Sequence, residues 1–311
     1  MNFPIYFDPK KSLNLFGLIN DFVFLKNLYR KKKLPKVLML SGRKGCGKFT
    51  LINHLMFLIF DSSNYNEEKN EIKQKSTFYN QFSNDIYANI IYLSGSNFKK
   101  TKIEDIRILK SKIFQTSISN KPRFIIFDDV ELFNHNSLNA LLKIIEEPSE
   151  NNYFILINNK SRPLIDTIKS RCLDIKIILP EDKRKLIINS LVKKFDINLK
   201  IDPVSSYLSP GLLIKYNCIL EKYKVSLNDS LLKNLGILLN LYKKEKDIIF
   251  IDMTSFLTDN YFNKPNIQNI YTNNQIVENK RFIFENINKF FIYNLNQNTL
   301  LNNINSIISY D

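Results

Sequence analysis

Gly42, Gly45 and Gly47 are three of only seven glycines in this 311-residue chain, and they share one stretch, GRKGCGK, that ends at Lys48. The stretch matches the first seven positions of the phosphate-binding pattern G-x-x-x-x-G-K-[ST]. An apolar run at 37–40 precedes it, and an apolar helix is predicted to follow it. Glycines let backbone N–H groups converge on phosphate oxygens, and the helix start adds a positive dipole end. The sequence therefore predicts a phosphate-binding loop between a strand and a helix.

The last position of this pattern is not met. Lys48 would reach the terminal phosphates of a nucleotide, but Phe49 stands where a hydroxyl should help to hold magnesium. Thr50 follows, yet one step along a helix turns a side chain by about 100°. Thr50 therefore does not simply replace the missing ligand. The loop is predicted either to cradle phosphate weakly or to be a relic.

Short apolar runs alternate with segments of helical spacing as far as residue 179, which is typical of a parallel sheet covered on both faces. Beyond Pro180 only helices are predicted, as a small bundle at 181–222 and a larger one from about 225. The polar segment 61–84 is predicted to be a loop or insertion. The predicted strands are 37–40, 90–93, 124–127, 153–157 and the edge strand 173–178, and the predicted helices are 13–30, 48–60, 102–114, 137–147 and 163–170.

The apolar strand 124–127 ends in two acids, Asp128 and Asp129. Ligands of α/β folds bind at the carboxyl ends of the strands. In a phosphate-loop ATPase, Asp128 would support magnesium and the second acid, often glutamate, would orient the attacking water. Asp129 is one methylene shorter than glutamate, which puts its reach in doubt. An apolar run ending in acids is by itself a weak signal, because many strands end this way.

The chain carries a formal net charge of +15, which would attract nucleic acid through phosphate contacts. An AT-rich genome also favours lysine codons, so the charge has two explanations. The cysteines Cys46, Cys172 and Cys218 are far apart and form no CxxC pair, which argues against a zinc site and a disulfide framework. The N-terminus lacks the regions of a signal peptide, and no apolar run is long enough to span a bilayer. We expect a soluble, cytoplasmic protein with no membrane contact.

The third motif carries a family resemblance. Residues 137–148 read SLNALLKIIEEP, and Ser170-Arg171-Cys172 follows about 20 residues later. These segments resemble the NALLK-x-x-EEP and SRC signatures of the AAA+ clamp loaders, in the family's order after a phosphate loop and an acidic strand. The phosphate loop and the IEDIR stretch at 103–107 are most similar to delta-prime subunits of bacterial DNA polymerase III. The resemblance is close over residues 13–178 and weak from 180 to 311.

The resemblance implies a three-part architecture. A parallel-sheet AAA+ domain at 1–179 would be followed by a helical lid at 180–223 and a helical collar for oligomerisation at 224–311. The helix with NALLK would pack on the sheet through its apolar residues, Leu138, Leu141, Leu142 and Ile145. Four cysteines bind zinc in many relatives, between the two phosphate motifs, and this chain has none there. We therefore predict no zinc.

The resemblance also implies residue roles. Arg171 would be an arginine finger directed at ATP in a neighbouring subunit, although the tripeptide alone would indicate a surface arginine at a helix end. Asn158 would be the polar sensor of the γ-phosphate. Active relatives often carry a second sensor, an arginine, at the position of Ser209–Leu212, and this sequence has none there. At most, weak binding of ATP and magnesium is expected.

Three functional hypotheses follow. The favoured one is a stator that completes a hetero-pentamer with gamma/tau and delta subunits and helps to load a sliding clamp onto primed DNA. Its own catalysis is not expected, because Phe49, Asp129 and the missing lid arginine each weaken ATP hydrolysis. The alternative is an ATP-hydrolysing motor subunit like gamma or tau, which the intact Lys48 and Asp128 keep open. A third is an unrelated phosphate-loop protein that binds nucleic acid.

Overall fold

The computed structural model describes residues 7–73, 76–95 and 121–308. The helix predicted at 102–114, together with the IEDIR stretch, lies outside the described residues. Strands within the described part of the chain are β1 Val37–Ser41, β2 Tyr65–Asn66, β3 Glu71–Ile72, β4 Ile90–Ser94, β5 Arg123–Asp128, β6 Asn152–Asn158 and β7 Leu173–Lys176. Helices are α1 Ile19–Arg30, α2 Lys48–Phe60, α3 Thr77–Ser83, α4 His135–Ile145, α5 Asp166–Lys169, α6 Glu181–Phe195, α7 Pro210–Lys222, α8 Leu231–Glu245, α9 Ile249–Phe262, α10 Pro265–Gln268, α11 Asn273–Tyr293 and α12 Gln297–Asn305.

Five strands form one parallel sheet in the order β4-β5-β6-β1-β7. Side chains alternate between the two faces of a strand. Leu38 and Leu40 of β1 therefore pack with α1 and α2 on one face, while Val37 and Met39 pack with α4 on the other. The predicted parallel sheet with helices on both faces is confirmed, and β7 is an edge strand as expected.

The segment 61–84 differs from its predicted loop. Tyr65 and Ile72 pair in the short antiparallel hairpin β2–β3, and α3 starts from Ser76, whose side chain accepts the Tyr79 N–H at 2.9 Å. Phe78 and Phe82 of α3 are buried against Phe57 of α2. The polar composition of the segment predicted a loop. The burial of its few aromatic residues instead stabilises a helix there.

Two helices are shorter than predicted. Gly17 has a φ of +75°, which is unfavourable for continuing a helix, and α1 begins only at Ile19. The helix predicted at 163–170 is confined to the four residues of α5. On α4, Leu138, Leu141 and Ile145 are buried as predicted, whereas Leu142 is only partly buried. Ile144, which the prediction omitted, takes a buried position on the same face.

The described chain divides into two compact units. One contains the sheet and runs to Leu199, with Tyr207–Ile214 added; the other contains Lys200–Ser206 and the chain from Lys215 onward. The second unit is a helical bundle in which α9 packs against α8 and α11, with Leu238, Phe250 and Ile287 in its interior. A capping box between Thr272 and Gln275 fixes the start of α11. No helix of the described chain has the length and apolar character needed to cross a membrane.

His54 of α2 generates a prediction about acid stability. Its ring is fully buried, its Nδ1 lies 3.1 Å from the Tyr65 hydroxyl, and burial lowers its pKa from 6.5 to about 3. The unfolded chain therefore binds a proton below pH 6.5 that the folded chain does not, so this residue removes stability as pH falls. Between pH 7.5 and pH 5 the loss is about 2 kcal/mol.

The measurement is the free energy of unfolding in urea at both pH values, for wild type and His54→Gln. We expect the wild type to lose about 2 kcal/mol more than the variant over this interval. Comparing the two proteins cancels the contributions of other titrating groups. Equal losses in the two proteins would show that His54 is not the residue responsible.

Candidate nucleotide-binding site

The phosphate loop lies at the carboxyl end of β1, where the sequence placed it. Gly45 and Gly47 have φ values of +80° and +96°, and Gly47 directly precedes α2. These left-handed conformations explain why the loop needs glycine at both positions. The Gly42 N–H donates to the carbonyl of Asn158 at 3.1 Å, which ties the loop to the end of β6.

Lys48 turns back onto its own loop. Its ammonium donates to the carbonyl oxygens of Gly42 at 2.7 Å and Arg43 at 2.9 Å. Burial lowers the pKa of Lys48, and the nearby Cys46 and Asp128 act in the opposite direction. The Cys46 Sγ, a weak acceptor, lies 3.7 Å from the same ammonium, and a phosphate could replace it and keep both carbonyl partners.

The segment Ser209–Leu212 lies directly against the loop. The Gly211 N–H donates to the Gly45 carbonyl at 2.9 Å, and the Ser209 hydroxyl donates to the Lys44 carbonyl at 2.5 Å. A Cβ atom on Gly45 would lie 2.5 Å from the Ser209 Oγ, so glycine is required for this approach. This segment, which was predicted to belong to the lid, thus makes a close backbone contact with the phosphate loop.

Phe49 fills the position of the missing hydroxyl with a buried ring. The ring meets Tyr92 of β4 edge to face, with the ring centres 5.3 Å apart. The Tyr92 hydroxyl donates to Asp128 Oδ2 at 3.1 Å. Burial and the charge of Asp128 raise the pKa of Tyr92, which keeps the hydroxyl protonated as a donor. Phe49, Tyr92 and Asp128 form one cluster, called here the aromatic plug.

The carboxyl of Asp128 is poorly suited to a metal. Burial raises its pKa to about 6, and the neighbouring charge of Asp129 adds to the rise. Oδ2 accepts the Tyr92 hydroxyl and Oδ1 accepts the Asp129 N–H at 2.9 Å. Magnesium needs oxygen ligands in a nearly octahedral arrangement, and Phe49 offers none. The loop therefore fits a phosphate group in type, but the residues around Asp128 do not fit a magnesium ion.

The second acid is held by a residue that the sequence analysis did not select. Asp129 adopts a left-handed conformation with φ at +49°, and its Oδ1 accepts the side-chain N–H of Asn159 at 2.6 Å. Asn158, the predicted sensor, is buried, and its side-chain oxygen accepts the Lys160 N–H at 2.9 Å. The side chain that contacts this acid thus belongs to Asn159, the neighbour of the predicted sensor Asn158.

Glu131 also accepts hydrogen bonds from the loop that follows β6. It is buried and accepts the Asn159 N–H at 3.2 Å and the Ser161 hydroxyl at 2.7 Å. Tyr92, Glu131 and Asn159 were all missed by the motif analysis, because each lies outside the motif positions. The one available signal was that Glu131 follows the acidic strand by three residues.

Thr50 is half-buried on the first turn of α2.

Arg171 lies away from these residues. It follows α5 and precedes Leu173, which pairs with Leu38 near the start of β1, whereas the phosphate loop begins after Ser41. At about 3.3 Å per residue, Leu38 and Gly42 are about 13 Å apart along the sheet. The structure therefore brings the predicted phosphate-binding residues together at the carboxyl ends of the strands. Arg171 lies at the amino ends of the strands.

The three cysteines are free thiols. Within residues 7–73, 76–95 and 121–308, no group of three or more His, Cys, Asp or Glu side chains is arranged to hold a metal ion.

Comparisons with known proteins agree with the motif order. A family model described as DNA polymerase III, delta subunit, matches residues 20–180, which is just over half of the chain. The chain belongs to this family. The expected kinship with AAA+ clamp-loader subunits is confirmed by relatives named as DNA polymerase III subunits gamma and delta'. Membership in this family also removes the hypothesis of an unrelated phosphate-loop protein.

Three curated relatives illustrate the similarity. Subunit gamma of Buchnera aphidicola subsp. Schizaphis graminum is 28% identical over 242 residues, which are 76% of this chain and 64% of the relative. Subunit delta' of the same organism is 28% identical over 173 residues, covering 54% of this chain and 51% of the relative. Subunit delta' of Bacillus subtilis is 24% identical over 224 residues, covering 70% and 62%. The chain thus spans 51 to 64% of the length of these relatives.

Among solved structures, a DNA polymerase III gamma subunit-related protein from Thermotoga maritima matches with a TM-score of 0.44 and 18% identity. The match covers 91% of this chain and 97% of that chain.

The aromatic plug predicts a pH-dependent effect of Tyr92→Phe. Above pH 6 the Asp128 carboxylate is ionised and loses a donor in the variant, at a cost of about 1.5–3 kcal/mol for a charged acceptor. Below pH 6 the carboxyl is protonated, so the loss shrinks. Urea unfolding at pH 8 and pH 5 measures both values. Tyr153→Phe on β6 is the matched control, and an equal loss at both pH values in Tyr92→Phe would contradict the plug.

Proposed function

We propose that the chain is a stator subunit of the DNA polymerase III clamp loader, of the delta-prime type, which donates Arg171 to ATP bound by a neighbouring subunit. Its partners in this proposal are gamma/tau and delta subunits in a cytoplasmic hetero-pentamer. Through that complex it would act on a sliding clamp and primed DNA. Family membership supports the clamp loader, and the geometry at the two ends of the strands favours the division of roles.

The observation that carries the stator role is the aromatic plug. A motor subunit needs a magnesium ion bridging the phosphates, held by a loop hydroxyl and a strand carboxylate. Here Phe49 replaces the hydroxyl, and Tyr92 engages the carboxylate of Asp128. A nucleotide could still meet Lys48 and the loop amides, so weak binding of ATP without magnesium is the proposed property of this site. Hydrolysis by the chain itself is not part of the proposal.

The position of Arg171 favours action on a second chain. Arg171 lies at the amino ends of the strands, and the phosphate loop lies at their carboxyl ends. The guanidinium of Arg171 therefore cannot contact a nucleotide held at Gly42–Lys48. Arginine supplies a permanent, planar positive charge that suits the oxygens of a phosphoryl group in transfer. An arginine provided by a neighbouring chain can raise the rate by about 10³–10⁵.

The three-part organisation belongs to the same proposal. An AAA+ domain at 1–179, a lid at 180–223 and a collar at 224–311 remain our proposed boundaries. The contacts of Ser209 and Gly211 with the phosphate loop support a lid in this region. The bundle of α8, α9, α11 and α12 is the proposed collar. We also propose that the chain holds no zinc.

A motor subunit remains the second candidate. The relative named subunit gamma matches 76% of this chain, which is more of the chain than the delta' relatives of Buchnera cover. Lys48 and Asp128 are also retained. This candidate requires Phe49 and Tyr92 to withdraw so that magnesium can reach Asp128.

Turnover by the purified chain discriminates between the two candidates. We expect no ATP hydrolysis, and weak binding of a fluorescent ATP analogue that is equal in magnesium and in EDTA. Lys48→Ala should weaken this binding, because the loop loses the buried ammonium of Lys48. Hydrolysis by wild type that Lys48→Ala abolishes, or binding that requires magnesium, would establish the motor instead.

The arginine finger is tested in the reconstituted loader. Arg171→Ala should lower its ATPase rate by about 10²-fold or more, because transition-state charge loses its partner. Arg162→Ala is the control, since Arg162 is an exposed arginine in the loop preceding α5. Both variants should assemble normally in gel filtration. An ATPase rate for Arg171→Ala equal to that of the control would remove the finger assignment.

A further inference from the structure

Arg171 is held by its own chain. Its Nη2 lies 2.7 Å from Oε1 of Glu146, and its Nη1 donates to the carbonyl of Thr167 at 2.9 Å. The side chains of Arg171 and Glu146 keep 37% and 45% of their exposure, so the pair is on the surface. The guanidinium is therefore turned toward two internal partners.

The carboxylate partner is fixed by the fold. Glu146 directly follows α4, and Leu141 and Ile145 anchor that helix in the core beneath the sheet. Thr167 belongs to the same short helix, α5, that leads to Arg171, and Ile168 of this helix is fully buried. Both residues of the pair thus follow helices that are anchored in the core of the sheet-containing unit.

The surroundings leave room for the arginine to move. The pair borders an open cleft of about 410 Å³, whose apolar wall includes Val37, Ile145 and Leu173. Leu173 is itself half exposed. Nothing in this wall offers the guanidinium a competing charge partner, so Glu146 is the anion that sets its resting position.

We propose that Glu146 is a positioning residue that holds Arg171 back until a neighbour's phosphate competes for the guanidinium. This inference rests on the proposed finger role. A guanidinium paired with a carboxylate presents less net positive charge to an incoming phosphate, and its two occupied N–H groups point inward. Phosphate carries more negative charge than one carboxylate and accepts a bidentate guanidinium equally well. Partner exchange therefore favours the phosphate once the neighbour binds ATP.

The expected size of the effect follows from the exposure of the pair. Exposed ion pairs change equilibria by a small factor, so removal of Glu146 should increase the availability of Arg171 by about two- to fivefold. Salt should reduce this factor, because exposed charges are screened. Glu147 is adjacent and exposed, and it serves as the matched control.

The first test uses the whole isolated chain. Phenylglyoxal modifies free guanidinium groups, and peptide mass spectrometry gives the rate at Arg171 with the exposed Arg162 as internal reference. Glu146→Gln should raise the rate at Arg171 about two- to fivefold relative to wild type and Glu147→Gln. Equal rates in all three proteins would overturn the proposal without bearing on the finger itself.

The second test uses the reconstituted loader at subsaturating ATP. Glu146→Gln should raise the ATPase rate about two- to fivefold, and the double variant Glu146→Gln/Arg171→Ala should match Arg171→Ala alone. A lowered rate in Glu146→Gln would mean that Glu146 extends the arginine toward the phosphate, which contradicts the restraint. If Arg171→Ala leaves the rate unchanged, the finger fails instead, while the modification rate still reports on the ion pair.

Discussion

The proposed function depends on the hydrogen bond from Tyr92 to Asp128, next to which the ring of Phe49 packs edge to face on Tyr92. A strand carboxylate at this position normally faces a metal ion. Here it accepts the hydroxyl of Tyr92, whose ring packs against Phe49, and burial raises the pKa of the carboxyl to about 6. The Tyr92 hydroxyl and the Asp129 N–H donate to the carboxyl, and the nearby ammonium of Lys48 favours its charged form. The loop next to it keeps its glycine conformations and its lysine, which supports our proposal that the site binds phosphate without magnesium.

The parallel sheet separates the candidate nucleotide site from Arg171. All five strands run in the same direction, so the phosphate loop and the acids collect at their carboxyl ends. The segment before β7 returns the chain to the amino ends of the strands, where Arg171 lies. The two groups are on separate parts of the sheet, so a change at Asp128 leaves the position of Arg171 unaffected. Our proposed function uses this separation: the chain loses its own catalysis and keeps its contribution to a neighbour.

Much of this arrangement was predictable from local sequence. The strand–loop–helix unit ending in α2 and the NALLK helix follow from apolar periodicity and glycine placement, and β5 ends in its acids as expected. The contacts of Tyr92, Asn159 and Glu131 were not predictable, because they join residues about 28 to 43 positions apart whose meeting depends on strand order. The hairpin and helix within 61–84 were missed because a few buried aromatic residues outweigh a polar composition.

The most direct test is an experimental structure of the reconstituted loader with ADP and aluminium fluoride, which mimics the phosphoryl group in transfer. The account predicts that the Arg171 guanidinium has left Glu146 and contacts the fluoride group in the neighbouring subunit, while Tyr92 still contacts Asp128. A magnesium ion and the analogue bound at Lys48 and Asp128 of this chain, with Arg171 still paired to Glu146, would contradict it.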